Sequence, residues 1–296
     1  MTLRPARPVL IVNPRSGGGK AVRFDLVRQC RERGIEPILF EPGDDLTEVA
    51  TAALRDGADA VGMAGGDGSQ AAVAAVAAEH DIPFVCVPAG TRNHFAFDIG
   101  VDRRDVVGAL DAFLEGDERR IDVARINGRV FVNNAAMGVY GAIVESHDYR
   151  DHKVRTAVAK LSERLAPEAK PFELHFVDGD VRPHDVADLV LVSNNRYGPE
   201  PRPRGGTRGA LDRGVLGVIA VTGPPPRGLT EWTTATFRVD ASTTVALGID
   251  GESVHMDPPL VFESVPLALR IRTPTRRVRG FPRRVRRAAP REGRSD

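Results

Sequence analysis

Three short segments of this chain hold residues suited to gripping an anion, and a fourth holds a carboxylate in a tight turn. The first, Asn13-Pro14-Arg15-Ser16-Gly17-Gly18-Gly19-Lys20, puts three glycines between an apolar run and an amphipathic stretch. Glycines let backbone N–H groups approach an anion, and a helix start adds favourable partial charge. It is not a Walker loop: Pro14 stands where the first glycine would, and Ala21 follows the lysine where a Mg²⁺-binding hydroxyl is required. The second is Gly65-Gly66-Asp67-Gly68-Ser69. Residues 66–71 also fit G-x-G-x-x-A, but the acidic partner of a dinucleotide site is missing, because Ile82–Val87 runs into Pro88-Ala89-Gly90. Asp67 reads either as a helix cap or as a carboxylate that meets Mg²⁺ or a hydroxyl beside phosphates. The third, Gly90-Thr91-Arg92-Asn93, offers a hydroxyl, a guanidinium and an amide at a helix start. In Asp250-Gly251-Glu252, the Asp-Gly pair is a preferred two-residue hairpin loop.

The elements around these segments explain why they would meet. Strands are predicted at 9–12, 35–40, 60–64 and 82–87, and helices at 20–33, 46–55, 69–79 and 104–114. Strand–helix alternation with short glycine-rich links predicts a parallel sheet covered by helices, with ligands beyond the carboxyl ends of the strands. The first three segments all sit at such ends. After about Asp122 the pattern changes to short alternating runs at 129–133, 172–177, 189–193, 216–221, 243–249 and 267–271, with one helical stretch at 154–165. That predicts an α/β N-terminal domain over residues 1–121 and a mostly antiparallel β domain over 122–275. Two stretches, 196–209 and 223–228, read as loose loops, and 276–296 as a basic tail without a packed core.

Composition bounds the class. The chain has 296 residues, 42% hydrophobic and 27% charged, enough for a sizeable core. Two cysteines, Cys30 and Cys86, are too few for a disulfide framework and fit a reducing, cytoplasmic setting. No apolar run approaches the roughly 18 residues of a membrane span. The net charge of +1 hides a split: residues 266–296 carry eleven arginines against Glu292 and Asp296, which leaves an acidic body. A basic end on an acidic body suits an anionic membrane surface, at about 1 kcal/mol per arginine near such a surface. Nucleic acid is not expected as a partner, since Trp232 is the single tryptophan and no aromatic-and-basic groove motif is present. An exposed edge strand in the β domain would permit a homodimer.

Taken together, Asn13-Pro14 with Ser16-Gly17, Gly65-Gly66-Asp67-Gly68-Ser69, and Pro88-Ala89-Gly90-Thr91-Arg92-Asn93-His94-Phe95-Ala96 resemble the motifs of the diacylglycerol kinase catalytic-domain family. That family includes bacterial lipid kinases and sphingosine and ceramide kinases, and is related in fold to NAD kinases. Asn133, Gly138 and Ile249-Asp250-Gly251-Glu252 follow in the expected order. The resemblance implies ATP and Mg²⁺ as cofactors and a membrane lipid alcohol as acceptor, hence a cytoplasmic, peripherally membrane-associated enzyme. It places Asn13, Ser16, Gly17, Gly18, Gly65, Gly66, Asp67, Gly68, Ser69, Gly90, Thr91 and Asn93 around the nucleotide. Asp67 would lie near the Mg²⁺ that arrives with ATP, Asp250 would be the general base, and Glu252 would stand beside it. Met137, Val139, Tyr140, Ile143 and Val144 are candidates for an apolar acceptor lining, or for plain core. Two departures stand out: His94 where the family often has aspartate, and Arg213 in Leu211-Asp212-Arg213-Gly214 at a carboxylate position of a side Mg²⁺ site. A kinase of a soluble acceptor, and a catalytically weak nucleotide-binding regulator, are the alternatives.

Overall fold

A computed structural model describes residues 3–139, 171–198, 208–222 and 228–275. The expected helix at 154–165, the Pro224–Pro226 turn, Tyr140, Ile143, Val144 and the tail from residue 276 lie outside the described residues.

The predicted parallel sheet is present. Its core strands are β1 (Pro8–Val12), β3 (Ala60–Ala64) and β4 (Phe84–Val87), buried along their whole length, with β2 (Glu36–Leu39) at the edge. Runs without polar alternation, such as Pro8–Val12, suit strands covered on both faces. At Gly62 an added Cβ would lie 2.7 Å from the Phe113 ring and 2.8 Å from the Val85 carbonyl, so helix and strand meet there only because the side chain is absent. The expected helix at 20–33 is two helices, α1 (Ser16–Arg23) and α2 (Leu26–Glu32), broken where Asp25 takes a left-handed φ of 46°. Helix α3 (Leu46–Arg55) starts where predicted, its first N–H groups capped by Asp45. Helix α4 (Asp67–Glu79) is alanine and valine from Ala71 to Ala78. The helix expected at 104–114 is a 3-10 turn (Gly108–Asp111) running into the short α6 (Ala112–Glu115), after α5 (His94–Asp98).

The second half is antiparallel. Strands β7 (Asn134–Gly138), β10 (Leu189–Asn194), β11 (Leu216–Thr222), β12 (Gly228–Thr234), β14 (Val245–Ile249) and β15 (Glu252–Met256) form a six-stranded sheet in the order β12-β11-β10-β7-β14-β15. Strands β8 (Phe172–Val177) and β9 (Pro183–Ala187) pair beside it.

The boundary expected between residues 121 and 122 falls inside β5 (Gly116–Ile126). That strand, β6 (Arg129–Phe131) and the 15-residue β16 (Leu260–Pro274) extend the first sheet to β2-β1-β3-β4-β16-β5-β6, with β13 (Thr236–Val239) on β16. Strand β16 lies parallel to β4 through Ile271 and Arg272 and antiparallel to β5, with a register shift between Val265 and Leu269. Two of the eleven arginines counted with the basic end therefore belong to this sheet. Arg272 is buried, donating to the carbonyls of Ala112 and Leu3, and Arg270 pairs with Glu118.

The bend in β16 is held by Asp122, which is fully buried. Its carboxylate accepts from Leu267 N–H at 2.8 Å, Gly214 N–H at 2.7 Å and the Asn195 amide at 3.0 Å. Asp122→Ala leaves these donors unpaired and should lower unfolding free energy by roughly 3 kcal/mol, measured by denaturant melts; a loss below about 1 kcal/mol would show that water replaces the carboxylate.

Candidate active site

Strands β1, β3 and β4 are neighbours, so the loops that follow them end side by side. The contacts are backbone on backbone. A Cβ on Gly17 would lie 2.3 Å from the Ala89 carbonyl oxygen, and one on Gly90 would lie 2.4 Å from Gly66 Cα. Asn13 N–H donates to the Ala64 carbonyl at 3.0 Å, tying β1 to β3, while its side-chain oxygen accepts from Arg15 N–H. The Lys20 ammonium donates to the Gly90 carbonyl at 2.7 Å. Partial burial, with Arg23 and Arg103 nearby, pulls it below its ordinary pKa. Glycines 17–19 all have positive φ, so α1 is right-handed only from Lys20 onward.

Within the third loop, Asn93 is buried and left-handed, at φ 55°. Its amide accepts from Gly90 N–H and donates to the Pro88 and Gly90 carbonyls, so it braces the loop. Thr91 stands exposed at the tip. Ser69 packs its side chain against Gly65.

Asp67 does cap a helix, although not its own. Its two oxygens accept from His94 N–H at 3.1 Å and Phe95 N–H at 3.0 Å, at the start of α5. The His94 ring is 3.8 Å from Asp67, so the backbone, not the imidazole, makes the bond.

Asp250 is built as the hairpin turn that its sequence allows. Asp250 and Gly251, at φ 48° and 89°, form the two-residue turn between β14 and β15. The side chain is turned inward and accepts from the N–H groups of Val132 at 2.9 Å, Asn133 at 2.8 Å and Asn134 at 3.1 Å. These residues join β6 to β7, where the chain passes from one sheet to the other. Burial pushes the Asp250 carboxyl up to about 7, against the three N–H donors, and the charge of Asp67 adds to the rise. A carboxylate offers about four lone-pair positions, so three bonds leave one for a hydroxyl.

Glu252 reaches across to the second loop: a Cβ on Gly68 would lie 2.4 Å from its carboxylate, and Arg129 pairs with it at 3.0 Å. Between α4 and the tips of the β5–β6 and β14–β15 hairpins lies a cavity of about 360 Å³, reaching from Gly68 and Asp250 along Ala71, Ala72 and Ala75 to Glu79. Those helix positions share one face. Met137, a candidate either for acceptor lining or for a plain core helix, is core, on strand β7 and not on a helix.

Gln70, Asp98 and Arg208 were not singled out from sequence. The buried Gln70 amide donates to the Met63 and Val87 carbonyls, joining the ends of β3 and β4. A lone amide in an alanine–valine helix was the available signal for it. Asp98 and Arg208 form a buried ion pair at 2.6 Å, for which the local sequence carried no signal.

The loops fit nucleotide phosphates. Gly66 has an ordinary φ of −83°, and a Cβ there would meet nothing, so neither conformation nor packing requires glycine. The backbone there is open to close approach by a ligand. Among the described residues no group of three His, Cys, Asp or Glu could hold a metal by itself. The segment 211–214 is held by Asn195 and Asp122 through the N–H groups of Arg213 and Gly214. A Mg²⁺ carried on phosphates, with few protein ligands, is compatible with Asp67.

The glycines separate folding from binding. Gly66→Ala should keep the parent melting temperature and lose at least tenfold in ATP affinity (about 1.4 kcal/mol). Gly90→Ala, which would press into backbone, should lower the melting temperature as well. Calorimetric melts and ATP titrations check both, and unchanged ATP affinity in Gly66→Ala would remove the cradle.

Known proteins share part of this sequence and its fold. Residues 7–126 match the family model "Diacylglycerol kinase catalytic domain". A diacylglycerol kinase of Mycobacterium tuberculosis is 32% identical over 195 residues, 62% of this chain and 62% of that protein. One from Bacillus subtilis is 29% identical over 205 residues, 65% of this chain and 66% of that protein. The chain thus aligns with just under two thirds of the length of these relatives. A crystal structure of a diacylglycerol kinase from Bacillus anthracis superimposes with a TM-score of 0.64 at 19% identity, covering 91% of this chain and 97% of the other. Another structure from that organism gives a TM-score of 0.70 at 20% identity, covering 92% and 98%. The likeness to the diacylglycerol kinase catalytic domain is thus carried by residues 7–126 of this chain.

Proposed function

We propose that this chain is an ATP-dependent lipid kinase of the diacylglycerol kinase type, which transfers the γ-phosphoryl group of ATP to a hydroxyl of a membrane lipid. The observation that carries this reading is Asp250: a buried carboxylate with one acceptor position to spare, within electrostatic reach of Asp67 and lining the cavity beside α4. The phosphates of ATP occupy the glycine cradle, met by backbone N–H groups and the positive charge of Lys20 and Arg92. The acceptor enters the cavity with its hydroxyl at Asp250. Asp250 takes the hydroxyl proton as the oxygen bonds to the γ-phosphorus and the bond to the β-phosphate oxygen breaks, leaving ADP. Asp67 would face a Mg²⁺ carried on the phosphates, which would supply charge neutralisation when bound. Glu252 lies over Gly68 and holds the β14–β15 tip against the cradle.

The acceptor class is decided by transfer of labelled phosphate from ATP to a panel of extracted lipids and soluble alcohols. Transfer to soluble alcohols alone would make the chain a soluble-acceptor kinase, and ATP binding without transfer would make it a regulator. Asp250→Asn should abolish turnover, a loss of at least about a thousandfold, while ATP affinity stays near that of the parent. The base acts when ionised, so parent kcat should fall as pH drops through about 7. Turnover preserved in Asp250→Asn would reject the base.

Recruitment is assigned to the tail, whose residues 276–296 carry nine arginines against Glu292 and Asp296. Several arginines at about 1 kcal/mol each suffice for reversible attachment to anionic lipid. Vesicles containing anionic lipid should sediment the full chain at low salt and not a chain ending at Thr275; equal sedimentation of the two would sink the assignment.

A further inference from the structure

Arg208 lies in a stretch read from sequence as a loose loop, yet its side chain is fully buried. Four hydrogen bonds and an ion pair hold its guanidinium. Nε donates to Asp98 Oδ2 at 2.8 Å, and Nη2 lies 2.6 Å from the same oxygen as an ion pair. Nη2 donates to Asn133 Oδ1 at 2.9 Å, and Nη1 to the carbonyls of Val132 and Asn194, the latter at 2.9 Å. Four bonds from all three nitrogens of a planar fork fix its orientation, which a lysine ammonium cannot reproduce.

The partners are what matter. The Val132 carbonyl and the Asn133 N–H belong to one planar peptide unit, and that N–H donates to Asp250. Arg208 thus grips one side of a rigid plate whose other side grips Asp250. On its far side Arg208 holds Asp98, the last residue of α5, while Asp67 holds the first two N–H groups of the same helix. A continuous path runs from Asp67 through α5, Asp98, Arg208 and the Val132–Asn133 peptide to Asp250.

We propose that Arg208 is a positioning residue for phosphoryl transfer, setting the placement of Asp250 relative to Asp67. The inference rests on the reading of Asp250 as the base. An anchor with a purely structural role would lose stability, ATP affinity and turnover together. A positioning residue, once removed, spares ATP binding and costs turnover.

Two variants of the full chain test this. Arg208→Lys keeps the charge beside Asp98 and loses the fork; Asn133→Ala leaves the Arg208–Asp98 pair intact and cuts only one link to the strip. Each is measured for melting temperature, ATP dissociation constant, kcat with an acceptor used by the parent, and deuterium exchange at the amides of residues 132–134. Misplacement of a reacting group by about 1 Å costs on the order of a hundredfold, so kcat should fall roughly 10- to 100-fold in Arg208→Lys and about 3- to 10-fold in Asn133→Ala, with ATP affinity within about threefold and faster exchange at Asn133. Parent-like kcat in folded Arg208→Lys, or equal losses of kcat and ATP affinity, would overturn the proposal. If Arg208→Lys does not fold, Asn133→Ala decides by the same criteria. If the parent phosphorylates no acceptor, the proposed function fails on its own, and exchange still judges Arg208: unchanged protection at 132–134 in the folded variants rejects it.

Discussion

The interaction on which both the fold and the site depend is the buried carboxylate of Asp250 against three consecutive backbone N–H groups. Burying an ionisable group is costly unless it is hydrogen-bonded. Here the bonds fall on the link from β6 to β7, the point where the chain leaves the first sheet for the second. The same atoms that stitch the sheets together hold the proposed base in place. The tight Asp-Gly turn keeps the side chain from swinging out, because both turn residues are left-handed and the hairpin register is set by five pairs of residues. Desolvation and three N–H donors oppose each other, and desolvation wins, leaving a group poised near neutrality rather than a fully stabilised anion.

Opposite this carboxylate, the proposed phosphate cradle relies on geometry and not on net charge. The three loops interlock through glycine, with carbonyl and Cα atoms where side chains would otherwise stand. A body with more acidic than basic residues can therefore hold a polyphosphate site, because local dipoles in a partly dry cleft outweigh distant, screened charges. Lys20 adds a cation directly on the third loop.

Much of this was legible in one dimension, and the reasons are local. Strands 60–64 and 172–177 and helix 46–55 follow from hydrophobic period, and the glycine-rich loops from their position at strand ends. Asp250-Gly251 was readable as a turn and as a base, and it is built as the turn with the carboxylate held inward. What escaped is non-local. The pairing of β16 with β4 spans more than 180 residues, and nothing in Leu267–Ile271 announces it. Arginines 208, 270 and 272 look like surface charge in a sequence, yet buried carbonyls and carboxylates make acceptors for them. Met137 reads equally well as lining or core; a central strand in the second sheet makes it core.

The same non-local residues explain how two loops and a hairpin from different sheets can act on one reaction. Helix α5 has five residues, about 7 Å of rise, too short to be stable alone. It persists because each end is clamped by a carboxylate: Asp67 on its N–H groups, and its own Asp98 on Arg208. A strut fixed at both ends transmits displacement instead of absorbing it. Through Arg208 and one peptide plane the strut sets the start of α5 and Asp250 at a fixed separation. In the proposed reading the cradle and the base are thereby placed relative to each other, although the residues involved lie in two sheets and more than 150 positions apart.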